Sequence, residues 1–439
     1  MKISWLDPLE WVPQELRQQA EAGNEVEELQ QRWEQLQAAI PDENDRRRAA
    51  LALLDEMNRT TAAADAASVS GALTEAVSPG STLSRLTLSA DEIGDRILGG
   101  WLGRAAGCLL GKPVEKHPRP VIRRLLESNG TWPLTDFITA QGMPPELLQQ
   151  YPWNRHYGRE SLKENLDCMP EDDDMNYALL NLHVLETFGA DFTTEQIAES
   201  WLSLLPVLTT FTAERVAYLN LLNGVRPPAT ATHRNPYREW IGAQIRADVW
   251  GWAAAGRPAL AAQLAWRDGR LSHVSNGLYG EMFSAAAIAA AFTCTTPRAI
   301  IAQALQQIPA TSRLAHAIAF AAERAQQQDD WEKVVDRLYE KFGHYHWVHT
   351  VNNAALVVAA LLHGQGDYQR SICSVVMAGW DTDSNGATVG SILGTLLGAS
   401  SLPQKWIGPL RNRLRSSMRG CDHSAFDDLA RRTHAQILR

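Results

Sequence analysis

Two short acidic stretches carry the chemistry open to this sequence. Glu171, Asp172, Asp173 and Asp174 run together in MPEDDDMNYALL and lead straight into an apolar segment. Asp381 and Asp383 bracket Thr382 in GWDTDSNGA, with Ser384 and Asn385 next. One or two acids at a helix N-terminus cap free amides and meet the positive end of the helix dipole, each for ~0.3–1 kcal/mol. Three or four adjacent carboxylates exceed that need, because they repel one another and raise each other's pKa unless a cation neutralises them. Carboxylates joined by a hydroxyl are hard oxygen donors, the set that Mg²⁺ or Mn²⁺ selects, whereas thiolate and imidazole suit Zn²⁺. Neither cluster continues into the EF-hand loop with its terminal glutamate. The pattern therefore predicts two acidic turns, each opening a helix, that face each other across a bundle and bind two metal ions.

Competing chemistries are weaker. His344, His346 and His349 crowd into HYHWVHTVNN, but no HExxH-type motif is completed, and core or substrate-facing histidines are the simpler reading. The chain has no GxSxG elbow, no Walker loop and no GxGxxG ahead of a β-unit, which removes the common hydrolase, phosphotransferase and dinucleotide-binding signatures. A formal net charge of -9 gives no basic face, hence no direct signal for nucleic acid or an anionic membrane. Five scattered cysteines without a CxxC pair fit a reducing compartment, and MKISWLDPLEWVPQEL lacks the pattern of a secretory signal. The expectation is a soluble cytoplasmic protein. Residues 386–404 are uncharged and nearly long enough to span a bilayer, but their Gly, Ala, Ser and Thr content predicts a buried helix.

Elements that must hold these acids can be read from pattern. Residues 1–58 are rich in Glu, Gln, Arg and Leu, and Val26, Leu29, Trp33, Leu36 and Ile40 fall at helical spacing, which predicts an amphipathic arm. Residues 59–90 shift to Ala, Ser, Thr and Gly, the composition of a linker, and the main body is expected over 91–439. There, Ala- and Leu-rich segments at 176–189, 196–206, 280–293, 298–308, 314–326, 353–363, 371–379 and 386–399 alternate with Pro and Gly breaks, so the fold class is all-α. Gly99, Gly103, Gly107 and Gly111 form one stripe, and Gly386, Gly390, Gly394 and Gly398 another. Each glycine costs ~1 kcal/mol against alanine inside a helix, so both stripes predict backbones packed closely enough to compensate.

In this order the segments resemble the ADP-ribosylglycohydrolases, a family that includes ADP-ribosylarginine hydrolases and the dinitrogenase reductase-activating glycohydrolase. LGGWLGRAAGCLLGKPVE is similar to the family's opening glycine-rich helix, DDDM at 172–175 to its Thr-Asp-Asp-Thr turn, and GWDTDSNGATVGSILGTLLGA to its Gly-Asp-Thr-Asp-Thr motif. IGAQIRADVWG and LSHVSNGLYGEMFSAAAIAAAF resemble its cleft-lining segments. The resemblance implies a compact orthogonal helical bundle, here with an extra N-terminal helical segment, and a two-Mg²⁺ centre (Mn²⁺ as alternative) that hydrolyses the bond at the anomeric carbon of ADP-ribose in an ADP-ribosylated protein or other conjugate. By position it implies Asp172, Asp173, Asp174, Asp381, Asp383 and Ser384 as metal ligands and Glu115, Asp173 and Asp174 as catalytic candidates. Gly242, Arg246, His273, Asn276, Tyr279 and Gly280 fall in the substrate-binding segments.

This chain departs from the family at three points. Cys108 replaces an aspartate, Asp172 (or Glu171 in a register shifted by one) and Met175 replace threonines, and Ser384 keeps the hydroxyl of the last one. Such changes leave two alternatives, an N-glycosidase for a nucleoside or other ribosylated small molecule and a non-catalytic ADP-ribose-binding member.

Overall fold

The computed structural model describes residues 3–76, 86–154, 157–328 and 330–438. Among them are twenty α-helices joined by short 3₁₀ turns, and no strand beyond three isolated bridges. The helices that position the acids are α1 (Pro8–Glu21), α2 (Glu27–Ala39), α3 (Glu43–Ala76), α4 (Ala90–Gly111), α5 (Asp173–Phe188), α6 (Thr212–Leu222), α7 (Ser275–Ala290), α8 (Thr350–Gly364) and α9 (Thr382–Leu397).

Helices α4 and α9 are the axis of the body, and the two glycine stripes are where they meet. A Cβ on Gly99, Gly103 or Gly107 would overlap the carbonyl oxygen of Gly394, Gly390 or Gly386, and the reverse holds for each partner. Helix axes can come this close only where no side chain intervenes. Gly111 continues the seam against the Thr382 carbonyl, and the Thr382 hydroxyl donates back to the Gly111 carbonyl at 2.8 Å. The stripe thus fixes the C-terminal end of α4 against the acidic N-terminus of α9. Around this pair, α7 and most of α8 are buried on nearly every face, in keeping with their largely apolar and small-residue content. The uncharged 386–404 stretch lies largely within α9, and none of the described helices is long and apolar enough to cross a membrane.

Two expectations about the N-terminal region change. The segment from residue 59, expected to begin a linker, is helical as far as Ala76, and 77–85 lie outside the described residues. Its alanines are the best helix formers, and here that propensity outweighs a composition that also suits linkers. Nor does the arm stand away from the body. Trp11, Val12 and Leu16 of α1 are buried, and Glu15 of α1 and Asp65 of α3 both pair with the buried Arg238, at 2.6 and 3.1 Å. Gln18 donates to Glu239 at 2.7 Å. Charged groups buried this deeply are stable only when paired, so the arm's acids complete the body.

Candidate active site

The two acidic turns converge. One oxygen each of Asp172, Asp174 and Asp383, with the Cys108 sulfur, lie within 4.8 Å of one another, and oxygens of Glu115, Asp381 and Asp383 form a second such group. Asp383 belongs to both.

Local sequence explains each placement. Asp172 is the N-cap of α5, its Oδ1 accepting the Asp174 amide at 2.9 Å, so two acids of the run hold the helix end while they face the site. Glu171 turns aside, accepting from Asn176 at 2.8 Å and Ser417 at 2.7 Å, so Asp172 and not Glu171 takes the inward position. At the other turn Gly379 and Trp380 both have positive φ, 84° and 57°. For tryptophan that backbone is strained, and the ring is held by stacking on Tyr339 with centroids 4.4 Å apart. The bend delivers Asp381 to the site, where its amide donates to Asn353 Oδ1 at 3.2 Å. Asn353 also accepts from Asn385 at 2.7 Å. Glu115 follows a 3₁₀ turn at the end of α4, and its carboxylate accepts from Asn154.

The two groups differ in their cationic partners. Asp174 pairs with the fully buried Arg104, which donates to its Oδ1 at 3.1 Å and also pairs with Asp248 at 2.7 Å, and Ser384 donates to its Oδ2 at 3.3 Å. Burial still holds Asp174 well above the usual carboxylate range. Asp172 is compensated by the buried ammonium of Lys112, which also donates to the Glu171 carbonyl at 2.7 Å. Burial raises the Cys108 thiol well above its ordinary range, and the charges of Asp172 and Asp174 add to this, so it stays protonated. Asp381 and Asp383 hydrogen-bond to each other. Burial raises both, the Asp383 charge adding to the rise at Asp381 and the Asp172 charge to that at Asp383, while the hydrogen bond from Asp381 and the nearby Lys112 hold Asp383 lower. Burial and the Asp383 charge push Glu115 up to about 8. Asp383 is 6% exposed, and its Oδ1 has no hydrogen-bond partner. An orphaned carboxylate oxygen among crowded buried acids is the donor set a hard divalent cation requires, so these residues fit a metal ion.

Above the acids lies a cleft of about 290 Å³, lined by Lys112, Glu115, Asp172, Asp173, Asp381, Asp383 and Ser384, by the more exposed Lys116, and by the apolar and aromatic Trp5, Tyr157, Phe211, Trp240, Ile241 and Trp347. Trp240 is braced by His346, stacked at 4.1 Å. Asp173 reaches the cleft but stands outside both close groups.

Of the six residues in the substrate-binding segments, only Gly242 lines this cleft. Arg246 is fully buried, paired with Glu214 at 2.9 Å and Asp268 at 3.3 Å, with Glu281 at 3.7 Å. The three acids leave its charge no reason to face a ligand. His273 is buried against Ser272 at 2.8 Å, and Asn276 bridges Glu239 at 2.7 Å and the Leu314 amide at 2.9 Å. The Tyr279 hydroxyl donates to the Ser68 carbonyl at 3.2 Å, and Gly280 lies against the Thr350 methyl. These residues shape the wall from behind. His349, central to the histidine cluster, is buried and caps α8, its Nδ1 accepting the Val351 amide at 3.1 Å.

Sequence reading passed over Arg104, Lys112, Trp5, Tyr157, Phe211, Glu214 and the two wall tryptophans. A signal existed for the first two. Arg104, Cys108 and Lys112 recur every four residues beside the glycine stripe, and cations on a buried helical face must find anions.

Comparison with known proteins places this geometry. A solved structure described as an ADP-ribosylglycohydrolase-related protein complex is 20% identical, covering 79% of this chain and 100% of its own, with a TM-score of 0.48. No curated protein matches the sequence. The ADP-ribosylglycohydrolase sequence profile matches residues 89–438, which take in both acidic turns and both glycine stripes, and the chain belongs to the ADP-ribosylglycohydrolase family.

Proposed function

We propose that this chain is a divalent-cation-dependent hydrolase that cleaves the glycosidic bond at the anomeric carbon of ADP-ribose, releasing it from an ADP-ribosylated protein or other conjugate. The observation that carries this reading is the crowded group of Glu115, Asp381 and Asp383, with an unpartnered Asp383 oxygen, at the base of an aromatic-walled cleft. Mg²⁺ is the ion best suited to these oxygens, with Mn²⁺ as the alternative. Bound there, it would orient the ribose hydroxyls, offset charge in the oxocarbenium-like transition state and acidify a water.

The chain's own groups would do the rest. Glu115, at the base of the cleft beside Asp381 and Asp383, is the first candidate to exchange a proton with a water or the leaving group. Asp173 is the second candidate, since it reaches the cleft. Asp174, with both oxygens engaged, is a positioning group. Tyr157, Phe211, Trp240 and Trp347 offer faces on which a purine and a ribose can stack, and Lys116 at the rim offers charge to a pyrophosphate. All five cysteines are free thiols, which supports a reducing location such as the cytoplasm. Calorimetry with ADP-ribose tests the reading: saturable binding is expected with Mg²⁺ present, and absence of binding with and without Mg²⁺ would sink it.

A further inference from the structure

Every oxygen of the first acidic group except those of Asp383 is already engaged. Asp172 gives one oxygen to the Asp174 amide at 2.9 Å and the other to Lys112. Asp174 gives one to Arg104 at 3.1 Å and the other to Ser384 at 3.3 Å. Cys108 contributes a buried neutral thiol where hard cations need charged oxygen. Lys112 itself is 3% exposed, with its ammonium paired to Asp172 and donating to the Glu171 carbonyl at 2.7 Å. The second group differs in kind. Among the described residues no lysine or arginine donates a hydrogen bond to Asp381 or Asp383, Lys116 stands 3.7 Å from Glu115, and Asp383 Oδ1 is unpartnered.

We propose that Lys112 is a resident cation standing in for a metal ion, so that the centre holds a single divalent cation at Glu115, Asp381 and Asp383. The expectation of two ions drawn from the sequence then reduces to one, and Cys108 follows from it. A group served by an ammonium needs no further carboxylate, so a thiol of small volume suffices at that position. The consequence is also chemical. A lysine cannot exchange into solvent or open a coordination position, so Asp172 is held rigid and only one metal position is available for a water or a ribose hydroxyl.

This proposal rests on the reading of the acids as a divalent-cation site, and a count of bound ions separates the two. The full chain, stripped by chelator, is titrated with Mn²⁺ while free Mn²⁺ is followed by electron paramagnetic resonance. One tight ion per wild-type chain is expected, abolished by Asp381→Asn. Lys112→Met keeps the apolar stem and removes the charge, and is expected to raise the count to two, with the broadened signal of neighbouring spins. Two tight ions on the wild type would overturn the lysine's role and leave the hydrolase reading intact. No bound ion would overturn both. A Lys112→Met chain, folded by circular dichroism and still binding one ion, would show that the lysine does not exclude the second. The wild-type count is decisive even if that variant does not fold.

Discussion

Gly107 and Gly386 face each other across the α4–α9 seam with the carbonyl of each where the other's Cβ would stand. Five residues on, just past the end of α4, is Lys112, and three residues before Gly386 is Asp383, so the seam sets the spacing of the site. Gly107→Ala is therefore expected to force the two backbones apart and cost about 3 kcal/mol or more, beyond ordinary overpacking because backbone cannot rotate away. Thermal or denaturant unfolding measures this. A change under 1 kcal/mol would mean the helices are not locked at that point.

Asp383→Asn should act in opposite directions with and without metal. In chelator it removes one of several buried carboxylates crowded at the site, one whose charge raises Asp381, so the chain should gain stability. With Mg²⁺ it should lose the stabilisation that the wild type gains from binding. Melting temperatures with and without Mg²⁺ should cross between the two proteins. Parallel shifts would argue against a cation between these acids.

Acid should weaken the fold through His349. Burial holds this imidazole neutral, lowered to about 3 against an ordinary 6.5. Its folded pKa is depressed, so the unfolded chain binds the extra proton as pH falls below 6.5, and stability is lost in the window from about 6.5 down to 3. Between pH 7 and 5 the loss from this residue is about 2 kcal/mol. His349→Asn keeps a capping acceptor for Val351 and should flatten that part of the profile. An unchanged slope would mean His349 is already protonated in the native state.

Much of this site was legible in the sequence, for identifiable reasons. Asp172, Asp174, Asp381 and Asp383 stood out because like charges were adjacent at helix starts, a local pattern. The two stripes were legible because period four survives in one dimension. Arg246 was not, because the acids that enclose it, Glu214, Asp268 and Glu281, come from separate segments and meet only in the folded chain. Helix α3 through residue 76 was misread because alanine-rich composition serves a linker and a helix alike, and Arg238, its buried partner, is more than 160 residues distant.

The N-terminal region has its own consequences. Glu15→Ala would leave Arg238 with Asp65 alone, and a cost of about 3 kcal/mol is expected from a buried guanidinium deprived of its nearer partner. Trp5 lines the cleft and packs edge-on against Tyr237 and Trp240, with centroids 5.7 and 6.3 Å away. Trp5→Ala should raise KM for an ADP-ribosyl substrate about tenfold, the worth of ~1.4 kcal/mol of lost contact, with kcat little changed. Steady-state kinetics separates this from a structural defect, which would lower kcat through lost active enzyme.

The most direct measurement is release of free ADP-ribose, by chromatography, from arginine-, serine- and nucleic-acid-linked conjugates, in Mg²⁺, after chelation and after Mg²⁺ is restored. Release from at least one linkage, lost on chelation, regained with Mg²⁺ and reduced at least a hundredfold by Glu115→Gln, is the predicted result. Release that persists unchanged in chelator, or none from any conjugate by a folded chain in Mg²⁺, would contradict it.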